Sequence, residues 1–70
     1  MSEIIFEARK AELHAGYVAT AIGFPLVARG ETLARLRSKV RVATDRYFGG
    51  DATAPALIRL HFVRDELLRR

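Results

Sequence analysis

The sequence predicts an α+β fold with the order β-β-β-α-β. A mainly antiparallel sheet of three to four strands carries one helix on one face. Three observations lead there. Apolar residues alternate with polar ones near both ends of the chain, which is the period of a strand. One central segment instead repeats its apolar residues at steps of three and four, the period of a helix. The first three apolar segments are joined by short glycine-containing connections, as in an antiparallel meander.

The segment EIIFEAR (3–9) is the first strand, with Ile4, Phe6 and Ala8 on one face and Ile5, Glu7 and Arg9 on the other. Residues 12–16 form a turn in which Gly16 supplies backbone freedom just before Tyr17. YVATAI (17–22), rich in aromatic and β-branched residues, is the second strand. A bend at Gly23–Pro25 separates it from a short third strand, LVAR (26–29). Thr32 follows Gly30 as the N-cap of a helix whose apolar stripe is Leu33, Leu36, Val40, Ala43 and Tyr47. At 100° per residue these five fall within an arc of about 80°. The helix ends near Phe48, where Gly49-Gly50 offers a cap, and GGDATAP is a loop. LIRLHFVR (57–64) is the last strand, with Ile58, Leu60 and Phe62 on one face. The tail DELLRR favours a helix but is too short to hold one alone. With one helix on one face, the opposite sheet face is left open around Ile5, Val18 and Ile22, and a homodimer is the simplest cover for it.

Seventy residues form a single domain, 1–70, with a small core. There is no cysteine, so disulfides and thiolate metal sites are excluded. The start MSEIIFEARK lacks the pattern of a signal peptide and no apolar run is long enough to span a membrane, so a cytoplasmic protein is expected. The net charge of +4 is unevenly placed: residues 1–30 balance three basic against three acidic groups, while 31–70 hold nine against five. Such asymmetry suits an acidic partner, either protein or nucleic acid. On the helical wheel Arg35, Lys39 and Arg46 share a sector of about 40° on one flank of the apolar stripe, and Arg37 and Arg41 lie on the other. With Arg59 and Arg64 of the last strand, these are the candidate partner-contacting residues.

Catalysis finds little support. Glu3 and Glu7 share a strand roughly 13 Å apart, too far to hold a pair of metal ions together. Asp45 lies on the polar side of the helix and Asp51 in a loop. His14 and His61 are isolated, and Gly49-Gly50 lacks the Lys-Ser/Thr of a phosphate loop. The chain is therefore expected to be non-enzymatic, with no catalytic residue, metal site or cofactor.

The motifs GYVATAIGFP and VARGETLARL, in that order and spacing, resemble the HicB-like antitoxin family. The residues carrying the resemblance are Gly16, Tyr17 and Val18, then Gly23 and Pro25, then Gly30, Thr32 and Leu33, and it spans 3–64. It implies a truncated RNase H-like unit of the same β-β-β-α-β order. It also implies a function by protein–protein binding: an antitoxin neutralising a small ribonuclease toxin of the HicA type, or an orphan relative. Many such antitoxins add a C-terminal DNA-binding module. After the last strand only DELLRR follows here, so no separate DNA-binding domain is expected. The alternative is a small nucleic-acid-binding module using the basic helix flanks.

Overall fold

The computed structural model of the chain describes residues 2–12, 15–64, 66 and 68–70. Its elements are β1 (Glu3–Lys10), β2 (Tyr17–Ala21), β3 (Val27–Gly30), α1 (Leu33–Phe48) and β4 (Leu57–Phe62). The β-β-β-α-β order holds, with boundaries shifted by a residue or two. His14, Leu13 and, in the tail, Asp65 and Leu67 lie outside the described residues.

The four strands form one sheet in the order β3-β2-β1-β4. β1 pairs antiparallel with β2, and β2 with β3, giving the expected meander. β4 pairs with β1 in parallel, Ile4 opposite Ile58 and Phe6 opposite Leu60. The reason is the helix, which carries the chain from one edge of the sheet to the other and returns it in the direction of β1.

Registered pairs share a face, so one side of the sheet presents Ile4, Phe6 and Ala8 of β1 with Ala19 and Ala21 of β2 and Ala28 of β3. All six are buried, and Leu36 and Val40 of the helix complete the core. The distribution of size explains where the helix rests. β2 and β3 offer it alanines, so it settles over those two strands. At the end of β3, a Cβ on Gly30 would collide with the backbone nitrogen of Leu36 and come within 2.8 Å of its Cα. The helix start and β3 are thus in backbone contact. β4 lies away from the helix: Ile58 and Leu60 are half-buried, and Phe62 is exposed.

The helix is built as its ends prescribe. Thr32 has extended dihedrals and its Oγ1 accepts from the Arg35 N–H at 3.1 Å. At the far end Gly49, with φ +59°, donates its N–H to the Asp45 carbonyl at 2.8 Å. The buried stripe is rotated slightly from the expected one. Leu36, Val40 and Thr44 are the buried positions, while Tyr47 is half exposed. Thr44 tolerates burial because its hydroxyl donates to the Val40 carbonyl at 2.8 Å. Tyr47 instead stands edge-on to Phe24 and Phe48, with ring centroids 5.9 and 5.1 Å away. The Gly23–Pro25 bend is therefore anchored by the Phe24 ring, which sequence periodicity does not reveal.

Candidate interaction surfaces

Alternation along the strands assigns the open face of the sheet. It carries Glu3, Ile5, Glu7 and Arg9 from β1, Val18 and Thr20 from β2, Val27 and Arg29 from β3, and Leu57, Arg59 and His61 from β4. Ile22 continues this face beyond β2, its N–H donating to the Ile5 carbonyl at 2.9 Å. None of the described elements covers it. Ile22, Val27 and Leu57 are each more than half exposed, while Ile5 and Val18 are half-buried by their neighbours. The apolar residues are bordered by both charge signs, and Arg59 donates to the Glu3 carboxylate at 3.0 Å.

The helix flanks border two grooves. Arg37 and Arg41 face Ile58, Leu60 and Phe62 across the gap between the helix and β4, a space of about 270 Å³. On the other flank, a larger groove of about 820 Å³ runs along the β3 edge, lined by Val27, Ala28, Arg29, Lys39, Val42 and Arg46 among others. Arg35 borders a third hollow beside it, with Tyr17, Arg29 and Lys39. Lys39 and Arg46 thus lie together as the helical wheel places them, with Arg35 adjoining. Arg29 joins them, and sequence spacing alone misses it because it comes from the neighbouring strand. A hint was present: Arg29 directly precedes the Gly30 that lets the helix approach.

Arg59 does not join the helix flanks. It belongs to the open sheet face and so lies apart from Arg37 and Arg41. Arg64 is exposed beyond β4.

The polar chemistry is sparse among the described residues. No three His, Cys, Asp or Glu side chains converge on a position that could hold a metal ion. No buried side-chain polar atom lacks a partner. His61 is exposed on β4, its backbone opposite Glu7. Asp51 has its pKa held below the ordinary value by the Thr53 backbone N–H and then the Thr53 hydroxyl, each 2.8 Å away. That arrangement closes a loop and serves the turn. No helix of the described residues is long and apolar enough to cross a membrane.

Set against family models, curated proteins and solved structures, the chain matches none of them.

Proposed function

We propose that this chain is a HicB-like protein that acts without catalysis, by binding other proteins: its own copies and, as the resemblance implies, a small ribonuclease toxin of the HicA type. The observation that carries the reading is the open sheet face, where Ile5, Val18, Ile22, Val27 and Leu57 share one side of the sheet with no covering layer among the described residues. The motif residues behind the resemblance support it through their structural duties. Gly16 holds a left-handed turn, Gly30 admits the helix and Thr32 caps it. The net charge of +4 does not attract a basic toxin from a distance, so that contact is local, through apolar residues and the carboxylates Glu3 and Glu7.

A second reading, binding of nucleic acid, draws on the helix cations. Among the described residues Arg35, Lys39 and Arg46 make no ion pair, which leaves them available to phosphates. A tagged pull-down from host lysate, with and without nuclease, decides between the two. Recovery of a small basic protein that survives nuclease is expected. Recovery of nucleic acid alone, lost steeply as salt rises, would replace the first reading with the second.

A further inference from the structure

The β3 edge is a place where another strand can attach. In the sheet order β3 has a neighbour on one side only. The Ala21 N–H donates to the Leu26 carbonyl at 2.9 Å. Hydrogen-bonded pairs in an antiparallel ladder recur every second residue, so Ala28 and Gly30 turn their backbone groups toward β2. Val27 and Arg29 therefore turn their N–H and C=O groups outward. An incoming strand meets two donors and two acceptors at the spacing of a ladder.

The side chains around this edge select what can come. On the helix side the groove has an apolar floor of Ala28 and Val42 beneath Lys39 and Arg46, and no acidic residue lines it. Arg29 borders the same groove, and strand alternation places it on the opposite face of the sheet. Among the described residues none of these three cations forms an ion pair. A strand laid along β3 thus meets positive charge on both of its faces. A second copy of this chain is disfavoured here. Antiparallel pairing about Ala28 would bring the Lys39–Arg46 flanks of two copies together, like charge against like. The shortness of β3 and its arginine also discourage indiscriminate pairing of apolar strands.

We infer that the β3 edge is a docking site for an acidic segment of a partner protein, which binds in extended form by adding a strand to the sheet. Backbone hydrogen bonds to Val27 and Arg29 supply the alignment, and carboxylates opposite Lys39, Arg46 and Arg29 supply the selectivity. This rests on the protein-binding reading but uses the sheet edge and the helix-side groove, sharing only Val27 and Arg29 with the open sheet face.

The test is a titration of the full chain with a labelled octapeptide alternating threonine and glutamate, against the same peptide with lysine for glutamate. The acidic peptide should bind and the basic one should not. Binding should slow hydrogen exchange at the Val27 and Arg29 amides. Lys39→Glu with Arg46→Glu, both at exposed positions, should weaken binding at least about tenfold at unchanged thermal stability. Val27→Pro keeps every cation but removes one outward N–H, and should also weaken it. Equal binding by Val27→Pro, or no protection at the two amides, would overturn strand addition. Preference for a single-stranded oligonucleotide, with the acidic peptide failing to bind, would overturn the inference and assign the groove to nucleic acid. Failure here leaves the open-face reading standing, because Ile22→Lys disturbs that face and not this groove.

Discussion

Gly16 and Gly30 meet from opposite sides of one junction. Gly16 has φ +104°, and a Cβ there would stand 2.5 Å from the Gly30 carbonyl oxygen and 2.8 Å from Glu31 Cα. Gly30 in turn has helix backbone where its own Cβ would be. Alanine at Gly16 combines a strained backbone with a collision against main chain that cannot rotate away, and should cost more than about 2 kcal/mol. Alanine at Gly30 should cost a similar amount by pushing the helix off β3. Alanine at Gly50, where nothing lies within 4 Å, should stay within about 0.5 kcal/mol of the parent. Urea denaturation of the three variants checks the contrast. Asp51 makes a prediction in pH. Its folded-state pKa lies below the ordinary 3.8, so its contribution to stability is present above the usual carboxylate range and is lost as pH falls through the lowered value. An NMR titration of its carboxyl carbon should show the depressed midpoint. Thr53→Ala should move it only part of the way back, because the backbone N–H, the larger cause, remains.

The helix is the element whose energetics are clearest. Leu36 is fully buried, so Leu36→Ala should cost about 2–5 kcal/mol, and Leu36→Asp should unfold the chain by burying a charge. Thr32→Ala removes the acceptor for the Arg35 N–H and should cost about 1 kcal/mol. Thr32→Asp should recover that loss and add a few tenths of a kcal/mol, since the first turn carries no acidic residue to meet the helix dipole. Thermal denaturation by circular dichroism distinguishes the series. The helix was legible in the sequence because its cap, its glycine stop and its 3.6-residue period all agree. The strands were legible as segments from their alternation. Their spatial order was not, because periodicity is local and the β1–β4 pairing joins Glu3 to Leu57. Arg29 was missed as a neighbour of Lys39 and Arg46 for the same reason. Arg59 stands apart from the helix flanks because a strand turns alternate residues away from the helix. The Tyr47 position failed for a local reason, as the last helical turn meets the Phe24 ring in place of the sheet.

At the scale of the whole molecule the unburied area is large. A compact monomer of 7.8 kDa exposes about 4,400 Å². This chain exposes 5724 Å². Leu68, Arg69 and Arg70 are exposed, and so are Ile22, Val27 and Leu57 of the open sheet face. A standard interface removes about 800 Å² from each partner, and the open face is the surface proposed to provide it. Under the proposed pairing of two copies through that face, analytical ultracentrifugation should find a dimer for the parent and a monomer for Ile22→Lys. Ile22 is 54 % exposed, so the lysine leaves the fold intact. Parent chain that sediments as a monomer at high concentration would reject the sheet face as a self-interface.

The parallel pairing of β4 with β1 also orders the ways in which the fold can open. β1 is one of the two central strands of the sheet, yet its neighbour on one side is separated from it in sequence by the whole meander and helix. If Leu57–Phe62 detaches, the meander and helix can stay assembled while the outer rim of β1 is laid bare. A partly opened molecule of that kind displays an unsatisfied strand, the species that a chaperone or another copy has its best opportunity to engage.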